Sequence, residues 1–283
     1  MPYNLKNYHP VKLDDLIRLG REFDGGYVVS KRQIEKTDIL LSFGINDDWS
    51  FEADFEKLKN IKILAYDYSV SEKRKHSEIR DYIGCMLGYL LVLRRSKVKE
   101  YWRRIKDTIH EINCGNINDI KKYFQKKQGR FFIAKYLGEH DDNTHISFDS
   151  IFGKIKDAGK LSVFIKMDIE GDEYKTLPCL LPYLDKINGL VAEFHGLNNP
   201  AEFEEVSRLL LQKFYVAHIH ANNFGGCVTV ASGKALPSLL EITFINKDLL
   251  TGDIHLSPYS YPLKGLDFPN NKTLDDIALC FNE

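Results

Sequence analysis

One repeated alternation constrains what this chain can fold into. Short apolar runs end in glycine or a polar residue, and helical patterns lie between them. The runs are "DILLSFGI" (38–45), "IKILAYDYS" (61–69), "RFFIAKYLG" (130–138), "LSVFIKMDIEG" (161–171), "NGLVAEFHG" (188–196), "FYVAHIHANN" (214–223) and "LLEITFINKD" (239–248). Between several of them, "WSFEADFEKLKN", "SFDSIFGKIKDAG", "EYKTLPCLLPYLDK" and "PAEFEEVSRLLLQK" read as helices, the last with Phe203, Val206, Leu209 and Leu210 on one face. Strands alternating with helices predict an α/β fold with a parallel sheet and right-handed crossovers. In such open sheets ligands bind beyond the carboxyl ends of the strands. The residues that end each run are therefore the candidates for function.

The segment from about 70 to 129 breaks the alternation. It is charged and helical, with apolar clusters such as "IGCMLGYLLVL", and reads as two or three helices inserted between the second and third strands. No proline-rich or low-complexity linker sets it apart, so residues 1–283 read as one domain with an insert. Within it, "LRRSKVKEYWRRIK" (93–106) is basic. That stretch suits a solvated helix face, a clamp in which Arg94, Arg95, Arg103 and Arg104 hold an acceptor phosphate, or an anionic membrane surface.

Bulk properties narrow the class. The formal net charge of −1 gives no whole-molecule attraction to nucleic acid. No apolar run approaches the roughly 18 residues of a membrane span, and "MPYNLKNYHP" lacks the apolar core of a signal peptide. Five scattered cysteines, Cys85, Cys114, Cys179, Cys227 and Cys280, suit reduced thiols in a cytoplasm. A cytoplasmic chain, at most peripheral to a membrane, is the expectation, and a homo-oligomer is left open.

Several strand ends carry chemistry. In "SFGINDDWSFE", Gly44 lets the backbone turn tightly and approach a ligand. Asp67 ends the second strand, where acids accept ribose hydroxyls in nucleotide-binding α/β folds. "DGGYVVS" reads as a turn into a strand, with Asp24 and its glycines placed to close over a ligand. "MDIEGDEY" concentrates acid: Asp168 and Glu170 share a face if the chain is extended, and Glu173 suits the first turn of the next helix. Two acids on one face repel unless a cation, a donor or a proton lies between them. Glu193 with His195, and His218 with His220 ahead of Asn222 and Asn223, repeat the two-residue spacing. Such groups can bind sugar hydroxyls, accept a proton, or hold a hard divalent metal together with Asp168.

Taken together, "DGGYVVS", "LLSFGINDDWSFE", "LAYDYS", "SFDSIF…FIKMDIEGDEYKTL", "LVAEFHG" and "AHIHANN…LLEITFIN" follow one another as in the FkbM-type methyltransferases. The resemblance runs from about Leu16 to Asp248, apart from the insert, and is greatest to the branch with a DGGY segment and an SFGI-type first loop. It implies a Rossmann-like class I methyltransferase sheet, mostly parallel with an antiparallel final strand, and S-adenosylmethionine as methyl donor. The implied donor-binding residues are Asp24, Gly25, Gly44, Asn46, Glu52, Asp67, Glu139 and Asp168. Glu170, Glu193, His220, Asn222 and Asn223 fall to a carbohydrate acceptor, nucleotide- or lipid-linked, of the kind used in surface polysaccharide or glycoconjugate synthesis. The family's first loop more often carries a second glycine where Ile45 or Asn46 stands here. His195 and Asp168 are the candidate bases for O-methylation of a sugar hydroxyl. The alternative is a Mg2+ or Mn2+ ion at Asp168, Glu193 and His195. Two rival readings are a sugar-nucleotide-modifying enzyme of another class and a non-catalytic scaffold that binds the donor.

Overall fold

The computed structural model describes residues 5–114, 116–155, 161–197, 200–229 and 235–281. An antiparallel hairpin of β1 (Leu16–Leu19) and β2 (Tyr27–Ser30) opens the fold, followed by helix α1 (Lys31–Lys36). Then come β3 (Ile39–Phe43), α2 (Ser50–Leu58), β4 (Lys62–Tyr66), three helices α3 (Glu72–Leu91), α4 (Arg95–Cys114) and α5 (Asn116–Gln125), and β5 (Arg130–Ile133). A two-stranded pair, β6 (Tyr136–Leu137) with β7 (His145–Ile146), leads to α6 (Phe148–Lys154) and β8 (Val163–Met167). The chain continues through α7 (Glu173–Thr176), β9 (Ile187–Phe194), α8 (Pro200–Lys213), β10 (Phe214–Ala221), the short pair β11 (Cys227–Thr229) and β12 (Ala235–Pro237), and β13 (Leu240–Asn246).

Seven strands form the central sheet in the order β10–β13–β9–β8–β3–β4–β5. β13 alone runs opposite to the other six strands. The expected fold, a mostly parallel Rossmann-like sheet with an antiparallel last strand, is the one observed. Every residue of β3, β8, β9 and β13 is buried, the mark of strands covered on both faces. Phe43, Ile165, Leu190 and Phe244 belong to the large cluster on one face, while Leu40, Ile63, Phe164 and Val191 belong to the other.

One predicted helix is different. "EYKTLPCLLPYLDK" is α-helical only over Glu173–Thr176 and then runs as a 3-10 helix over Leu177–Lys186. Pro178 and Pro182 withhold the N–H groups that an α-helix needs there.

Register sets the edge of the sheet. Phe43 pairs with Tyr66 on one side and Met167 on the other. The next residues of the three strands, Gly44, Asp67 and Asp168, therefore emerge side by side. Met167 also pairs with Ala192, Glu241 pairs with Glu193, and His220 pairs with Glu241. The row thus continues from Asp168 through Glu193 and Glu241 to His220.

Candidate functional site at the carboxyl edge of the sheet

From β3 the chain moves outward to β4 and β5, whereas β8 and β9 lie on the opposite side of β3. The order reverses between β3 and β8, which is where open α/β sheets form a crevice. Gly44 and Asp168 flank it. Gly44 has φ +73°, and a Cβ there would fall 1.6 Å from the Asp168 carbonyl oxygen. Only glycine permits both the turn and this approach. Asn46 follows at φ +48°, a left-handed position that asparagine tolerates.

A cavity of about 590 Å³ opens at this point. Asp24, Asp47, Asp48, Asp67, Asp168, Glu170 and Asp172 line it, against the cations Arg21 and Lys166. Asp67 shapes one end. Its Oδ2 accepts from the Asn46 N–H at 2.8 Å, and its Oδ1 accepts from the Ser69 N–H and hydroxyl at 2.7 and 2.6 Å. A carboxylate has about four acceptor positions, so Oδ2 keeps one. Gly25, at φ +87°, brings the β1–β2 turn against Asp48 at the other rim.

Asp168 sits between Tyr27 and Lys166. The Tyr27 hydroxyl donates to Asp168 Oδ2 at 3.3 Å. Lys166 is 5 % exposed and donates to the Gly44 carbonyl at 2.5 Å. Burial pushes the Asp168 carboxyl up from its usual range, and the charges of Lys166 and His195 oppose that shift. Glu52, expected to bind the donor, is fully buried, accepts from Ser42 and does not line the cavity. Its burial likewise raises its pKa, with Lys166 opposing.

His195 stands just past β9. It does not line the cavity but reaches its edge through Asp168 and Glu170. Its Nδ1 lies 3.0 Å from Glu173 Oε1, and its Nε2 is 3.6 Å from Glu170 Oε2 and 3.8 Å from Glu193 Oε1. Burial works against the imidazolium. The hydrogen bond and charge of Glu173, with Asp168 and Glu170 behind it, outweigh this and raise the His195 pKa above 6.5. Asp168, Glu170 and His195 each offer a ligand atom within 4.8 Å of the others. The donor set that could hold a hard cation thus contains Glu170 where the sequence reading placed Glu193.

The shared face of Asp168 and Glu170 does not come from an extended chain. β8 ends at Met167, and Glu170 and Gly171 adopt φ of +58° and +107°. This left-handed turn is what carries the Glu170 carboxylate back to His195. Glu139 is exposed beyond β6 and does not line the cavity.

The far end of the row is closed by protein. Strand spacing of about 4.8 Å puts His220 roughly 14 Å from Asp168. His220 is 2 % exposed and lies between Glu241 Oε2 at 3.1 Å and Asp276 Oδ1 at 3.0 Å. His218 meets Asp267 Oδ2 at 3.1 Å. Asn222 donates to Glu193 Oε1 at 2.8 Å, and Asn223 donates to the carbonyl of Asn271. All are buried, so His220, Asn222 and Asn223 hold the 250–281 segment and the row of acids rather than face the cavity. Glu193 and Glu241 are directly opposed across β9 and β13. Burial and the nearby Asp168, Glu241 and Asp24 raise the Glu193 pKa well above its usual value, which relieves the repulsion by favouring the neutral acid.

Tyr27, Lys166 and Glu173 were given no role in the site from the sequence, and neither were the cavity residues Arg21, Asp47, Asp48 and Asp172. Tyr27 lies inside "DGGYVVS". Lys166 is a cation in the middle of a buried run, a placement that itself asks for a partner. Glu173 offered no signal beyond its helix-start position.

Fold and site together define an α/β protein with an acid-lined crevice at the switch point of a seven-stranded sheet. No family model matches the chain, and no curated protein matches it. Solved structures similar to it include a precorrin-6y C5,15-methyltransferase from Geobacter metallireducens GS-15, at 12 % identity and a TM-score of 0.33 over 76 % of this chain and 84 % of that one. A second is an rRNA methylase from Streptococcus thermophilus, at 10 % identity and a TM-score of 0.35 over 76 % of this chain and 92 % of that one. A third is the Methanococcus jannaschii fibrillarin pre-rRNA processing protein, at 8 % identity and a TM-score of 0.34 over 87 % and 77 %. Likeness at this level transfers no residue and no substrate to this chain.

Proposed function

We propose that the chain is an S-adenosylmethionine-dependent O-methyltransferase of the FkbM type, acting on a sugar hydroxyl of a surface polysaccharide or glycoconjugate. The observation that carries this reading is the charge of the switch-point cavity. Its carboxylates outnumber Arg21 and Lys166, which favours a cationic sulfonium and opposes a pyrophosphate. A nicotinamide dinucleotide would also want a glycine-rich phosphate loop, and "SFGINDDWSFE" supplies acids instead.

The residues fit the donor. Asp67 at one end keeps an acceptor position for a ribose hydroxyl. Asp24 and Asp168 at the other end provide negative charge, and Gly44 lets β3 and β8 close together at the cavity. When bound, S-adenosylmethionine supplies an electrophilic methyl group.

The chain's own work is to place and deprotonate the acceptor. Glu173 ties up His195 Nδ1 and so fixes the ring. Nε2 is then the nitrogen that faces Glu170 and Asp168, and it can take the hydroxyl proton as the oxygen gains the methyl. Asp168 and Glu170 can accept hydrogen bonds from neighbouring sugar hydroxyls.

Ligand-induced stabilisation tests the reading, because only a ligand of the native state raises the melting temperature. S-adenosylmethionine and S-adenosylhomocysteine should each raise it, and NAD should not. A chain indifferent to both sulfur compounds would not be a methyltransferase of this kind.

A further inference from the structure

We infer that the α3–α4 hairpin is a membrane-docking device whose apolar tip enters the headgroup region of an anionic lipid surface. This inference does not depend on the methyltransferase reading. No residue of α3 is buried. At its end, Leu90, Leu91, Val92 and Leu93 follow one another, with Leu91 85 % and Leu93 83 % exposed. Turns that face water are polar, and a run of four exposed apolar residues at one is a fault unless something covers it.

Charge identifies what covers it. Between Asp81 and Glu100 the chain has no acid, and Arg94, Arg95, Lys97 and Lys99 all fall there, directly behind the apolar turn; Lys97 pairs with Glu100 at 2.8 Å, so Arg94, Arg95 and Lys99 make the collar. The whole chain is nearly neutral, so this polarity is local. An apolar end with a basic collar matches an anionic lipid surface, where each cation adds attraction and the leucines enter the acyl boundary. A second copy of the chain would set two basic collars against each other with no acid at the tip to pair them.

The backbone suits the same role. The Leu93 N–H bonds the Leu90 carbonyl at 3.1 Å and the Arg94 N–H bonds the Tyr89 carbonyl at 3.0 Å. The turn therefore carries these donors into an apolar phase already satisfied. α3 has 20 residues and is about 30 Å long, so its tip can reach beyond the body of the fold. Among the described residues no helix is long and apolar enough to cross a membrane, which leaves surface docking.

Co-sedimentation of the full chain with lipid vesicles tests this. Binding is expected to mixed phosphatidylcholine–phosphatidylglycerol vesicles at low salt, and to fall by at least about tenfold on pure phosphatidylcholine or in Leu91→Glu/Leu93→Glu. Arg94→Glu/Arg95→Glu should weaken binding to the anionic vesicles and remove its salt dependence. These side chains are exposed, so thermal unfolding should be unchanged in both variants. Three results would overturn the inference. The chain could stay in solution with both vesicle types, or Leu91→Glu/Leu93→Glu could bind as wild type does. Sedimentation could instead show a dimer that this variant converts to monomer, which would assign the tip to a second copy.

Discussion

Glu173 Oε1 lies 3.0 Å from His195 Nδ1, and Glu173 is fully buried. The same oxygen accepts from the Gly171 N–H at 3.1 Å, while Oε2 has no hydrogen-bond partner among the described residues. A buried carboxylate with so few donors gains most from a positive imidazole beside it. The pair therefore both orients His195 and raises its pKa.

The first prediction follows from this pair. A base must be neutral, so kcat/KM should rise with pH through a value above 6.5, the ordinary histidine pKa. Glu173→Gln keeps a polar partner but removes the charge, and should move that rise to lower pH. His195→Ala should lower turnover by about 10²–10⁴ with donor affinity unchanged. Activity should be indifferent to a chelator. A loss on chelation that Mn2+ restores would assign the chemistry to a cation held by Asp168, Glu170 and His195.

A second prediction concerns Gly44. A Cβ there meets the Asp168 carbonyl at 1.6 Å, and φ is +73°. Left-handed strain alone costs about 1–3 kcal/mol, and backbone cannot yield as a side-chain tip does. Gly44→Ala should reduce stability in urea by at least that amount and weaken donor binding further. A variant as stable as wild type would mean that β3 and β8 can part at this end without cost.

The strands were legible because burial on both faces writes continuous apolar runs. All seven predicted runs overlap a strand of the central sheet, from Ile39–Phe43 to Leu240–Asn246. Their order was not legible from the runs, since neighbours in the sheet leave no mark on local periodicity; the family resemblance supplied only a mostly parallel sheet with an antiparallel final strand. The carboxyl-edge position of Gly44, Asp67 and Asp168 followed from strand ends alone. What sequence spacing could not show is which polar strand ends face solvent. His220 and Asn222 look like site residues until the 250–281 segment brings Asp276 over them, and that segment has no periodic pattern to announce it. Glu170 reaches His195 through a left-handed turn, where the two-residue rule for extended chain does not apply.

The third prediction is a pH dependence of stability. His220 lies between Glu241 and Asp276, with Asp267 and Arg18 close by. Burial disfavours its charged form, but the bonds to Asp276 and Glu241 prevail and raise its pKa from 6.5 to about 10. The folded state thus holds this proton more tightly than the unfolded chain. The stabilisation is complete below 6.5 and is lost as pH climbs through about 10. The melting temperature should fall across that interval, and Asp276→Asn should flatten the fall. A melting temperature level from neutral pH to pH 10 would show that His220 is neutral in the fold.

The fourth prediction places the donor. Asp67 is 5 % exposed and already receives the Asn46 N–H and two donors from Ser69. Its role is then double: it holds the loop after β3 against the end of β4, and it offers its remaining acceptor position to a ribose hydroxyl. Asp67→Ala removes both and should weaken S-adenosylhomocysteine binding by about 1–3 kcal/mol, the worth of charged hydrogen bonds. In Asp67→Asn the carbonyl oxygen can keep the Asn46 N–H and the free acceptor position, but the charge is gone and the amide meets the Ser69 N–H donor to donor. This variant should be less stable than wild type and should lose less S-adenosylhomocysteine affinity than Asp67→Ala, measured by calorimetry. Unchanged affinity in both folded variants would move the ribose away from the end of β4 and leave Asp67 as a strut of the loop.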